Sequence, residues 1–165
     1  MKIDRHTTNA EFAPFAAIVS HDDMMRVREA AVRDMFGEAG FYGMTVGQLT
    51  DIISGDPRPL LQSGGRTVFD TCRVEAFRQW IDEFSSALRR MSLPQTAESI
   101  ALSAGTMQAD FVESLYIFCR SYFGLGSFEA CDRLKVSEYM IARKDDYNRA
   151  VVERNVSTRM KGGKR

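Results

Sequence analysis

Residues 107–123 read Met-Gln-Ala-Asp-Phe-Val-Glu-Ser-Leu-Tyr-Ile-Phe-Cys-Arg-Ser-Tyr-Phe. On a helical period, Phe111, Leu115, Phe118 and Tyr122 form one stripe, and Val112, Tyr116, Cys119 and Phe123 form its neighbour. A helix apolar over so much of its circumference needs neighbours on most sides, so it belongs in the middle of a helical bundle. Glu113 and Arg120 interrupt the run, which is too short to span a bilayer. Phe118 is therefore expected to be among the most costly positions to truncate.

The rest of the chain offers partners for that helix. Phe69, Cys72, Ala76, Phe77, Trp80, Ile81, Phe84, Leu88 and Met91 recur at helical spacing over about 68–91, with Arg73, Arg78, Arg89 and Arg90 among the polar positions. Ser20 or Asp22 can cap a helix carrying Met24, Val27, Ala31 and Met35, which Gly37 and Gly40 end. Thr45 and Gln48 form a T-x-x-Q capping box, with Met44 and Leu49 at the staple positions, so a short helix follows. Thr96 and Ser127 start two further short helices, and Val136 to Asn155 reads as the last one, with Asp145–Arg149 and Arg149–Glu153 as opposite-charge pairs. No window alternates with period two, and no Asn-Gly or Asp-Gly turn occurs. The fold class expected is all-α, an irregular bundle of five to seven helices around the helix at about 107–123.

Residues 55–66 hold two of the four prolines and three of the twelve glycines. This is the strongest break in the chain. It divides the chain into an N-terminal helical segment (1–54), a Pro/Gly loop or hinge (55–66), a helical core (67–155) and a basic flexible tail (156–165). An exposed hinge would let residues 1–54 move against the core. Phe12, Phe15, Ile18 and Val19 are then candidate partner-binding residues, free to dock on a protein partner or a second copy.

Chemistry-bearing patterns are sparse. The three cysteines, Cys72, Cys119 and Cys131, form no CxxC pair and sit as small core residues. Both histidines, His6 and His21, lie in the N-terminal region, so neither a zinc site nor a general acid–base pair is easily assembled. Ser63-Gly64-Gly65-Arg66-Thr67 lacks the phosphate-loop spacing. Asp22-Asp23, Asp82-Glu83 and Asp145-Asp146 are sequence neighbours, which point about 100° apart on a helix and so do not share a proton or a metal. No catalytic residue, cofactor or metal is expected, and the chain is read as a non-enzyme.

Charge offers one asymmetry. Lys plus Arg and Asp plus Glu number 22 each, which disfavours a uniformly basic nucleic-acid binder. The end of the chain is nonetheless basic: Arg154, Arg159, Lys161, Lys164 and Arg165 carry no acid among them. These five are the candidate electrostatic or nucleic-acid-contacting residues, together with the arginines of the 68–91 helix.

Met44-Thr45-Val46-Gly47-Gln48-Leu49 lines up with Leu134-Lys135-Val136-Ser137-Glu138-Tyr139. The match suits either a duplication or simply two helix starts. The second copy, preceded by Tyr122-Phe123-Gly124-Leu125-Gly126-Ser127-Phe128, resembles small helical tail-assembly proteins of bacteriophages. In those a short aromatic-rich helix precedes an apolar-[ST]-x-x-E-aromatic helix start; Lys135 replaces the Ser or Thr here. The resemblance covers about residues 122–150 and implies a non-enzymatic assembly or adaptor role.

Eleven Phe, five Tyr and nine Met suit packed or partner-binding helical surfaces. The functional expectation is a non-catalytic helical interaction protein of a phage or mobile element, an assembly factor or adaptor. Its partners are proteins, with self-association included, and not a membrane. The alternative is a helical nucleic-acid-binding regulator. The start of the sequence lacks a signal-peptide pattern, so the expected location is cytoplasmic, the bacterial host cytoplasm for a phage protein.

Overall fold

The computed structural model describes residues 2–162. Among them eight α-helices follow in order: α1 (Asn9–Phe12), α2 (His21–Phe36), α3 (Val46–Ile53), α4 (Val68–Arg90), α5 (Ala97–Leu102), α6 (Phe111–Phe123), α7 (Phe128–Asp132) and α8 (Val136–Gly162). Single 3-10 turns occupy Ala13–Phe15, Gly40–Gly43 and Arg58–Leu60. The fold is all-α, as the periodicity predicts. Extended pairing among the described residues is confined to two isolated bridges.

Polar caps decide where the helices begin. Thr8, Ser20, Thr45, Thr67, Thr96, Asp110 and Ser127 each accept the backbone N–H three residues on, satisfying a donor that the first helical turn leaves free. The Thr45–Gln48 box forms as expected, with Gln48 accepting from the Thr45 N–H at 3.0 Å. An unexpected box sets the start of α6. Asp110 accepts the Glu113 N–H at 2.8 Å and Glu113 accepts the Asp110 N–H at 3.0 Å, so the helix begins at Phe111 and not at Met107.

The two aligned segments pair with each other. Val46 N–H donates to the Leu134 carbonyl at 2.8 Å, and Val136 N–H donates to the Met44 carbonyl at 2.9 Å. Thr45 and Lys135 thus form an antiparallel bridge from which α3 and α8 depart. Glu138 mirrors Gln48 by accepting the Lys135 N–H at 2.7 Å. Thr8 and Thr67 repeat the device between α1 and α4, through Asn9 N–H to Arg66 and Val68 N–H to Thr7. In each bridge the N–H just after one cap, left free by the first helical turn, donates to the carbonyl just before the other cap, so both helix starts are satisfied at once.

The core centres on α4. Its stripe buries Val68, Phe69, Cys72, Phe77, Phe84 and Leu88. Phe84 is fully enclosed, and the Trp80 ring stacks on it at 4.8 Å between centroids. Phe41, Met44, Val46 and Leu49 from before the Pro/Gly segment share this core with Phe77, Phe84, Leu115, Val136 and Tyr139 from after it. Close approach is possible because two glycines lack a Cβ. A Cβ on Gly43 would lie 2.6 Å from the Phe36 carbonyl oxygen, and one on Gly47 would lie 2.9 Å from Asp132 Cβ.

Three expectations need correction. Residues 55–66 are not a free hinge between separate units. Leu60 is buried, Gln62 and Ser63 N–H groups donate to the Asp70 carboxylate, and the Arg66 carbonyl accepts from Asn9. The prolines and glycines shape a loop that its own backbone bonds hold against α4. Second, α6 does not sit at the centre: only Leu115 and Cys119 are buried on it, and Phe118 is half-buried. Third, the last helix does not stop at Asn155. It continues to Gly162, so the first seven residues of the expected flexible tail are helical. Nothing between Asn155 and Gly162 breaks a helix, and proline is absent there.

Candidate functional site

The face of α6 turned away from α4 stays uncovered. Ile117 is 57% exposed, and Phe128 on the neighbouring α7 is 59% exposed. With Met107, Val112, Tyr116, Gly124 and Leu125 they line an open groove of about 900 Å³. Glu113 and Arg120 place one charge of each sign on its wall. The Arg120 guanidinium lies over the Phe128 ring at 5.4 Å, and Tyr116 meets that ring edge-on at 5.3 Å.

A polar cluster fixes the groove floor from beneath. The Tyr116 hydroxyl donates to the Asp132 carboxylate, and Thr50 Oγ1 lies 3.2 Å from it. Thr50 in turn donates to the Gly47 carbonyl at 2.9 Å. Burial, with the Asp132 carboxylate as a second cause, raises the Tyr116 phenol above its usual value. It is a protonated donor at neutral pH, and it locks the aromatic floor in one orientation. The groove therefore presents a preformed apolar and aromatic surface, suited to the apolar face of a helix or to an apolar peptide.

The structure brings together all four N-terminal candidates. Phe12, Phe15, Ile18 and Val19 line one groove of about 440 Å³ with Ile3 and Val27. Ile18 is the most exposed of them, at 79%. The segment is tethered by the Thr8–Thr67 bridge, so this is a fixed surface of the body.

The arginines divide. Arg73 is not available to a nucleic acid. It is fully buried, and donates to the Ala31 carbonyl at 2.7 Å, to Asp70 at 3.1 Å and to Asp34 at 3.0 Å. Burial works against the Asp70 carboxylate, but the Gln62 N–H, the Thr67 hydroxyl and the Ser63 N–H outweigh it and hold the carboxyl below its usual value. Burial likewise lowers Arg73, opposed by Asp70 and Asp34. This junction joins α2, α4 and the Pro/Gly loop. Arg78, Arg89 and Arg90 are exposed. Arg154 and Arg159 are exposed on the outer turns of α8, beside the apolar Val152, Val156 and Met160. Lys161 falls on the last helical turn, while Lys164 and Arg165 lie outside the described residues.

The three cysteines are buried and unpaired. Burial pushes Cys72 up to about 11 and Cys119 up to about 12, so neither is a thiolate at neutral pH. Among the described residues no group of three His, Cys, Asp or Glu stands close enough to hold a metal ion, and no helix is long and apolar enough to cross a membrane.

The sequence pointed to the N-terminal groove but not to the one on α6 and α7. Its signal is the apolar excess of 107–123, which periodicity reads as a helix in the middle of a bundle. No known family model, curated protein or solved structure matches the chain.

Proposed function

We propose that this chain is a non-catalytic helical interaction protein, an assembly factor or adaptor of a phage or mobile element. Its partner is a protein, and the α6–α7 groove is the surface that binds it. The observation that carries the reading is the open apolar groove of about 900 Å³ with Ile117 and Phe128 exposed in it. A concave surface lined mostly by apolar and aromatic side chains, with a few polar groups on its wall, is the usual form of a binding site. The segment resembling phage tail-assembly proteins forms one wall of the groove, through Gly124, Leu125 and Phe128.

Co-purification from infected or host cells tests this, with the wild-type chain compared against Ile117→Glu and Phe128→Glu. A specific protein recovered with the wild type and lost from both variants is the expected result. Failure to recover a stable partner, or equal recovery with the variants, contradicts the reading.

A nucleic-acid-binding role retains one supporting observation, the exposed Arg154 and Arg159 on the end of α8. Binding to DNA or RNA that falls steeply with salt, and disappears on removing residues 156–165, would favour it.

A further inference from the structure

Between α4, α6 and α8 lies a second, polar cavity of about 550 Å³, separate from both apolar grooves. Arg89 and Arg143 line it from opposite helices, with the hydroxyl-bearing Ser85, Ser114 and Tyr139 between them. Arg143 Nε is buried and has no hydrogen-bond partner. The same guanidinium rests on the Phe118 ring at 4.6 Å, which fixes its plane. Among the described residues no carboxylate comes within ion-pair distance of Arg143 or Arg89.

Two arginines that line one polar cavity and have no carboxylate partner leave guanidinium N–H donors for an anion. Arg73, by contrast, has three acceptors, while Arg28 Nε shares the unpaired state of Arg143 Nε although Arg28 itself is paired with Glu75. Burial raises the Tyr139 phenol to about 12, which keeps its O–H as a donor. Asp82 on the lining leaves the cavity with one net positive charge, which suits one phosphoryl group and not a polyanion.

We infer that this cavity is a binding site for a single phosphate group, held by Arg143 and Arg89 and completed by the Ser85, Ser114 and Tyr139 hydroxyls. Planar guanidinium groups match phosphate oxygens in pairs, and charged hydrogen bonds of this kind are the strong ones. The group can arrive as inorganic phosphate or as the phosphate of a small monoester, for which the volume leaves room.

Isothermal titration of the full chain in phosphate-free buffer tests this, with inorganic phosphate and phenyl phosphate as probes. Saturable binding at one site per chain is expected at millimolar concentration. Arg143→Gln and the exposed Arg89→Gln should each weaken it at least tenfold, while Arg78→Gln on another part of α4 should leave it unchanged. Tighter binding of phenyl phosphate identifies a monoester as the ligand, and equal binding identifies the free ion. Absence of saturable binding of both probes, or equal affinity in Arg89→Gln and wild type, overturns the proposal. Arg89→Gln keeps the test decisive if Arg143→Gln fails to fold.

Discussion

Helices α4 and α6 both look like core helices in the sequence, and the structure treats them differently. Eight residues of α4 are buried, and its aromatic stripe from Phe77 through Trp80 to Phe84 is covered by Phe41, Tyr139 and neighbouring side chains. On α6 only Leu115 and Cys119 are buried, while Ile117 on the same helix is more than half exposed. Apolar content says that a surface seeks cover; it does not say that this chain provides it. Helix α4 has α2, the Gly40–Gly43 turn and α8 around it. Helix α6 has the α4–α8 core on one side, and on the other the five-residue α7 and a contact from Thr50 of α3 to Tyr116. The uncovered remainder is the surface on which the proposed function rests.

The comparison can be broken most severely at Phe84. Phe84→Ala should cost about 3–5 kcal/mol in a chemical denaturation series, since a fully enclosed ring leaves a cavity behind. Phe118→Ala, from the stripe expected to be most critical, should cost clearly less because that ring is half-buried. Equal losses would show that α6 is as enclosed as α4.

The polar junction at the start of α4 gives the next effect. Asp70→Asn should destabilise by about 1–3 kcal/mol at neutral pH, because Arg73 keeps its burial and loses one anionic partner. The folded carboxyl titrates below 3.8, so its contribution is complete above that pH and is lost as pH falls through the lower folded value. Acid unfolding of the wild type should therefore show a stability loss below about pH 4 that is reduced in Asp70→Asn. An identical acid limb in the two proteins would contradict the assigned role.

Ile117 sharpens the contrast at the small end. Ile117→Asn should change stability by no more than about 0.5 kcal/mol, as expected for an exposed site, while weakening partner binding. A large stability loss would mean that the α6 face is covered in the folded chain.

Much of this architecture is legible in local chemistry. Helix starts follow from Ser20, Thr45, Thr96 and Ser127 because a cap acts within three residues of itself. The Asp110–Glu113 box is equally local, but it sits inside an apolar run whose periodicity already extends to Met107. What the sequence could not display is non-local. The alignment of Met44–Leu49 with Leu134–Tyr139 carries no sign that the two segments bond to each other, about ninety residues apart. The burial of Arg73 depends on Asp34 and the Ala31 carbonyl, both on α2. The groove depends on which neighbours α6 lacks, and periodicity does not report absent neighbours. The N-terminal candidates emerged because Phe12, Phe15, Ile18 and Val19 are close in sequence as well as in space.

Hydroxyl-radical footprinting of the complex with the protein recovered by co-purification tests the central claim most directly. Met107 is 98% exposed and Phe128 is 59% exposed, so both react in the free chain. Binding through the α6–α7 groove predicts strong protection of Met107 and Phe128, with Phe15 and Met160 oxidised at their free-chain rates. Protection of Phe15 or Met160 with Met107 and Phe128 unchanged would place the partner on the N-terminal groove or on the end of α8, and would contradict the account.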